Sequence, residues 1–302
     1  MHPSRIIVGV DGSAGARSAL LWAADEASIR RDSLLVLHAP GPSDTASIRK
    51  AGEPAILALD EAGERLLQEC LSAASARQPG VPVTTLLSHA RAADTLIDLS
   101  RDADLVVAGT RGVNAPFSTI LGSVCHRVAA QAHCPVALVP EAAALSTRVP
   151  TADIVVGASG GSAARLALGF AVDEAGRRGA TVVAVRTFSG AFAEAPRRPA
   201  AGRADRLDGH ANESFERDRE SFERDLEPIR AARPDVPIVS SLVVAEPAEA
   251  LLAAAGTAQL IVIGCHHSDD PWSTRLGPVP NAILDRAPCP LVVVGERRHD
   301  SA

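Results

Sequence analysis

Residues 9–27 read GVDGSAGARSALLWAADEA, and residues 157–175 read GASGGSAARLALGFAVDEA. Laid over each other at a shift of 148, they agree at ten of 19 positions. The matches include Arg17 with Arg165 and Asp25-Glu26-Ala27 with Asp173-Glu174-Ala175. A second pair of stretches, 102–140 and 257–295, agrees at 14 of 39 positions at a shift of 155. Here Gly109 recurs as Gly264, Gly122 as Gly277, and Cys134-Pro135 as Cys289-Pro290. The period far exceeds the ~20–50 residues of a solenoid repeat. The chain therefore reads as one domain written twice, 1–146 and 147–302, joined near STRVPTAD (146–153). The growth of the shift by seven residues requires an insertion, and AEAPRRPAAGRAD (193–205) is its expected place.

Within each copy, short apolar runs alternate with helical patterns. In the first copy the runs predict strands at 6–10, 33–38, 83–88, 105–108 and 136–139, with helices at 14–30, 56–76, 92–100 and 123–132 between them. Near-continuous Val/Ile/Leu strands separated by helices indicate a parallel sheet covered on both faces. The expected fold is α/β: two tandem, doubly wound, five-stranded parallel-sheet domains.

Composition narrows the function. Of the 302 residues, 46% are hydrophobic, enough for real cores. Aromatics are only 3% with no Tyr, which argues against a stacking platform for single-stranded nucleic acid. The net charge of -6 argues against nucleic acid in general. Lys50 is the sole lysine and stands in SIRKAGEP, so there is no phosphate-cradling G-x-x-x-x-G-K-[ST] loop and no evident Schiff-base chemistry. Five cysteines without a C-x-x-C pair, and an opening MHPSRIIVGVDGS without a signal peptide, read as a reduced cytoplasmic protein. No apolar run reaches the ~18 residues that a membrane span needs.

The chemistry concentrates at GTRGVNAPFSTILGS (109–123), which leaves the apolar run 105–108 through Gly109. In open parallel sheets, ligands sit beyond the carboxyl ends of the strands, where strand order reverses. In the first copy those ends carry Val10-Asp11-Gly12, His38-Ala39-Pro40 and Ala108-Gly109. Ser123 begins the helix after the glycine loop, and a helix start offers unpaired N–H groups suited to phosphate.

The spacing G-x2-G-x9-G-[ST], met by Gly109, Gly112, Gly122 and Ser123, resembles the ATP-binding signature of universal stress proteins. RIIVGVDGS near the start and CPVALVP at 134–140 are similar to that family's first and last strands. The resemblance covers both halves, as in a tandem member. It implies that Val10, Asp11 and the adjoining Gly12 lie against adenosine, with Ala39 closing over the base. It implies further that Ala108 and Gly109 contact the ribose, that Arg111 and Gly112 lie near the phosphates, and that Gly122, Ser123 and Val124 bind phosphate oxygens. With no lysine at hand, Mg2+ is the expected neutraliser of the triphosphate, assisted by Arg111.

The second copy departs from the pattern. Ser159 stands for Asp11, His267 for Gly112 and Pro278 for Ser123. Proline removes an N–H and the hydroxyl where phosphate would sit, so a degenerate site is expected there. ASGGSAA (158–164) lacks the Asp and second Ser of an S-G-G-x-D-S loop, and Cys265-His266-His267 reads as loop rather than metal site. Cys134 and Cys289 read as packed thiols. ESFERDRESFERDLEPIR (213–230) reads as a solvated helix covering the sheet, with Phe215 and Phe222 on one face.

The functional expectation is a protein that binds ATP in its first domain and acts in stress or dormancy through conformation and interactions. No residue of the inferred pocket is an evident general base, so no catalytic residue is assigned. A slow ATPase or adenylating enzyme on this fold, or a nucleotide-free scaffold, are the rival readings. The last strands, 135–140 and 290–295, are expected to pair antiparallel as an internal pseudo-dimer, which also matches how the family's single-domain members pair. A homodimer of the whole chain is left open.

Overall fold

The computed structural model describes residues 4–40, 53–110, 122–141, 152–188, 209–265, 276–284 and 286–295. Two compact units emerge, one of residues 1–147 with 265–302 and the other of residues 148–264. The first begins with β1 (Arg5–Val10), α1 (Ala14–Arg30), β2 (Ser33–His38), α2 (Glu53–Arg77) and β3 (Val83–Leu87). It continues through α3 (Ala92–Leu99), β4 (Leu105–Gly109), α4 (Ser123–Gln131) and β5 (Val136–Val139). The second unit holds β6 (Ile154–Gly157), α5 (Gly161–Arg178), β7 (Val182–Thr187), α6 (Gly209–Ala232), β8 (Ile238–Val243) and α7 (Pro247–Ala254), and nearly all of β9 (Leu260–Cys265). The short α8 (Pro278–Leu284) and β10 (Leu291–Gly295) belong to the first unit.

The strand order of the first unit is β3-β2-β1-β4-β5-β10, parallel throughout except for its last pair. The second unit orders β9-β6-β7-β8, all parallel. In the first, the chain steps outward from β1 to β3 and returns to β4 and β5. Right-handed crossovers then put α1 and α2 on one face and α3 and α4 on the other.

Burial explains the apolar runs. Ile6, Ile7, Val8, Leu105, Val106 and Val107 are fully buried, as are Ile154, Val155 and Val156 of the second copy. A strand covered on both faces cannot alternate, so its sequence loses the period of two. Among the described strands, only the outer two carry exposed residues: Thr84 and Leu86 on one side of β3, and Val239 on β8. The Phe215/Phe222 expectation for α6 holds: Phe222 is 1% exposed and Phe215 meets Phe188 edge-on at 5.5 Å.

Charges repeat with the fold. Glu26, buried on α1, accepts from Arg30 Nε at 2.6 Å, and its counterpart Glu174 accepts from Arg177 and Arg178. Asp25 ties α1 to Arg77, just as Asp173 ties α5 to Arg233, each at 2.7 Å. The aligned Asp-Glu pairs are thus structural. One carboxylate faces the neighbouring helix and the other its own helix's arginine.

β5 and β10 pair antiparallel, with Leu138 opposite Leu291, Ala137 opposite Val292 and Val136 opposite Val293. This is the pairing expected for the two final strands. All six side chains are at most 1% exposed. An open apolar strand edge is thereby closed by the chain's own last strand. Cys134 and Cys289, at the entries to these strands, are both buried thiols outside any disulfide.

Candidate functional site

The crevice of the first copy opens at the end of β1, because its neighbours β2 and β4 lead to opposite faces of the sheet. Val10 is 6% exposed, whereas Asp11 is exposed. Gly12 follows at φ +83, a conformation that a side chain would strain. This turn is held locally: the Asp11 carboxylate accepts from the Ser13 N–H at 3.0 Å, and Ser13 Oγ caps α1 by accepting from the Ala16 N–H at 3.1 Å. At the end of β2, His38 and Ala39 are half-buried. His38 Nδ1 meets the Val10 carbonyl at 2.8 Å.

Gly109 and Gly122, alike as letters, differ in physical reason. A Cβ on Gly109 would lie 2.5 Å from the backbone carbon and oxygen of Gly15 and 2.9 Å from the Ala16 nitrogen. Gly109 is therefore glycine because the first turn of α1 packs directly on the end of β4. Gly264 meets the Ala163 backbone in the same way, so this contact is common to both copies.

Gly122 is the opposite case. Its φ of -66 and ψ of 151 suit any residue, and a Cβ there would meet no described residue within 4 Å. Neither strain nor packing against the described residues requires glycine. No described residue fills the space above it, at the point where α4 begins with no side-chain cap. The Gly122 amide itself donates to the Thr110 carbonyl at 3.1 Å, which ties the helix start to the end of β4. Ser123 is exposed and Val124 half-buried on the first turn.

Beneath that turn, the buried Cys125 Sγ donates to the Gly109 carbonyl at 2.9 Å. Burial first, and the Asp11 carboxylate second, push the thiol up to about 12, so it stays a neutral donor. The influence of Asp11 also shows that the β1 turn and the start of α4 lie close together across 114 residues of sequence.

Of the expected site residues, Val10, Asp11, Gly12, Ala39, Ala108, Gly109, Gly122, Ser123 and Val124 lie at these strand ends and this helix start. Arg111 and Gly112 lie outside the described residues, as do Lys50, the junction residues 146–151, the segment 193–205, and His266 and His267 of the second copy. Among the described residues, no group of three or more His, Cys, Asp or Glu side chains is placed to hold a metal ion.

The end of β6 in the second copy is built differently. Ser159 is exposed, and Gly160 and Gly161 take φ of +90 and +81 in succession. Pro278 opens α8, the position that Ser123 holds on α4. Sequence reading missed Arg186, which stands where the first copy has His38. It is 7% exposed and donates through Nε to the Ala158 carbonyl and through Nη2 to Asp225, both at 2.7 Å. The Phe222 ring lies 4.4 Å beneath the guanidinium carbon, and Asp218 lies 3.9 Å away. A signal existed: a lone arginine inside VVAVRT, which a buried strand tolerates only with partners. Arg186→Met keeps the chain length but removes the buried charge-assisted bond and the cation–π contact. We expect a loss of about 2 kcal/mol in urea unfolding, and an unchanged midpoint would show that the cluster is not stabilising.

Comparison with known proteins agrees with this geometry. A sequence profile of the universal stress protein family matches residues 3–140 and again 151–295. One universal stress protein of Mycobacterium tuberculosis is 30% identical over 296 residues, spanning 96% of this chain and 96% of its own. Another from that organism is 32% identical over 311 residues, spanning 95% and 94%. The crystal structure of a universal stress protein from Archaeoglobus fulgidus shares the fold, with a TM-score of 0.72 at 17% identity over 98% of this chain and 99% of that one. With the family's pattern met twice along its length, the chain belongs to the universal stress protein family as a tandem member.

Proposed function

We propose that the first copy, residues 1–146, binds ATP with Mg2+, and that the protein acts in a cytoplasmic stress or dormancy response through its conformation and interactions. The observation that carries the reading is Gly122: a glycine at an uncapped helix start that no described neighbour and no backbone strain demands. Phosphate oxygens approaching there would meet the first-turn N–H groups and the positive end of α4. Ser123 and Val124 would supply the amides and the Ser123 hydroxyl, since the Gly122 amide is engaged with Thr110. Val10, Asp11 and Ala39 would face the adenosine.

Mg2+ in such sites is held largely by phosphates and water, with few protein ligands. That suits a site whose described residues offer Asp11 but no carboxylate cluster. Its chemistry there is to neutralise charge on the phosphates.

In the second copy, residues 147–302, Ser159 and Pro278 stand at the aligned positions. Calorimetry is therefore expected to give about one ATP per chain, and mass spectrometry of the freshly purified protein an adenine nucleotide. Two equivalent sites would show that Pro278 does not disable the second copy. No binding at all would leave the scaffold reading.

A further inference from the structure

We propose that His38 is a positioning residue of the nucleotide site, acting through the Val10 carbonyl. This inference rests on the ATP reading above. The register of β1 with β4 ends at Gly9, and that with β2 ends at Val10 opposite His38. The Val10 carbonyl is thus the last on its strand, at the point where the sheet opens into the crevice. A buried or half-buried carbonyl in that position needs a donor. His38 Nδ1 supplies it at 2.8 Å. A carbonyl can only accept, so Nδ1 carries the proton and the tautomer is set.

The second copy makes the same bond with other chemistry. Arg186 occupies the register position of His38 and donates to the carbonyl of Ala158, the residue aligned with Val10. The surroundings change together. Gly63 on α2 comes close enough that its Cβ would lie 3.2 Å from the His38 ring. At the aligned positions on α6, Asp218 stands for Gly63, Phe222 for Leu67 and Asp225 for Cys70, and all three surround Arg186. Two different donors, each in its own environment, serve one carbonyl. What both copies retain is the tie across the ends of their first two strands.

In the first copy that tie fixes the peptide leading directly into Asp11 and Gly12. The Asp11 carboxylate and the Val10 backbone are the groups assigned to the adenosine. Without the ring, the Val10 carbonyl is free to rotate toward water, and the turn loses its set direction.

The test compares the donor with its absence at constant size. Asparagine places an N–H close to the position of Nδ1, and aspartate places an acceptor there. ATP affinity should fall about tenfold or more in His38→Asp and in His38→Leu, and remain within about threefold of wild type in His38→Asn. Thermal midpoints of the apo variants are measured alongside. A purely structural role would lower the midpoint but leave the affinity of the folded fraction unmoved, and that outcome overturns the proposal. Equal losses in His38→Asn and His38→Asp also overturn it, and this pair decides the matter even where His38→Leu does not fold. Failure of the wild-type chain to bind ATP would overturn the nucleotide reading itself, an outcome separate from unchanged binding by the variants.

Discussion

Gly109→Ala is expected to destabilise the apo protein by about 3 kcal/mol or more, whereas Gly122→Val should cost it at most about 1 kcal/mol. The two substitutions separate packing from ligand approach within one motif. At Gly109 the added methyl would sit 2.5 Å from the main chain of Gly15, and a main chain cannot rotate away as a side chain can. The first turn of α1 must lift off β4, which disturbs the Ser13 cap and the Asp11 turn together. At Gly122 the backbone is already extended and no described residue lies in the way. Valine is a poorer helix cap than glycine, which sets the small cost. Its branched side chain would occupy the space assigned to phosphate, and ATP affinity should fall about tenfold or more, or ~1.4 kcal/mol per tenfold. Urea unfolding and calorimetry on both variants check the contrast. Unaltered affinity in Gly122→Val defeats the phosphate reading, and an unaltered midpoint in Gly109→Ala defeats the packing account.

The second large effect concerns the β5–β10 pair. Residues 1–146 expressed alone would present Val136–Val139 with one edge unpaired, since the strand that covers it comes from 291–293. Sedimentation should show self-association or aggregation of this fragment. A well-behaved monomer at high concentration would mean that the strand protects itself by other means. In the whole chain, Leu138→Lys acts by a different route from a charge at an open edge. Leu138 is 0% exposed, so an ammonium there must be desolvated or must drag the strand outward. We expect a loss of about 3 kcal/mol or more in unfolding free energy, and a loss under ~1 kcal/mol would contradict the burial.

The repeat and the apolar runs sufficed to read the α/β class and to place the strands to within a residue or two. Buried parallel strands are written as continuous Val, Ile and Leu, and the intervening helices leave little room for another topology. The pairing of the final strands was legible too, because each copy ends on an apolar strand that needs a neighbour.

The meaning of individual site residues was less visible. Gly109 and Gly122 look equivalent in a spacing pattern, and only the position of Gly15, 94 residues away, separates them. His38 gave no sign of its role, since a histidine ending a strand is ordinary until the carbonyl it serves is located. Arg186 depends on Asp218, Phe222 and Asp225, all on a helix that lies beyond the seven-residue insertion. Such partnerships are made by packing. The lone arginine in VVAVRT signals that partners are needed, but local composition does not name them.

The antiparallel tie between β5 and β10 also sets a timetable. Val139 and Leu291 are separated by 152 residues, so the first unit cannot be finished until β10 has left the ribosome. At about 5–20 residues per second, that interval lasts roughly 8 to 30 s. Throughout it the nascent first copy carries a bare apolar strand edge, the surface on which neighbouring chains of one polysome would meet. Ribosome stalling or premature termination anywhere between the two strands would therefore injure the copy already made, by withholding its last strand.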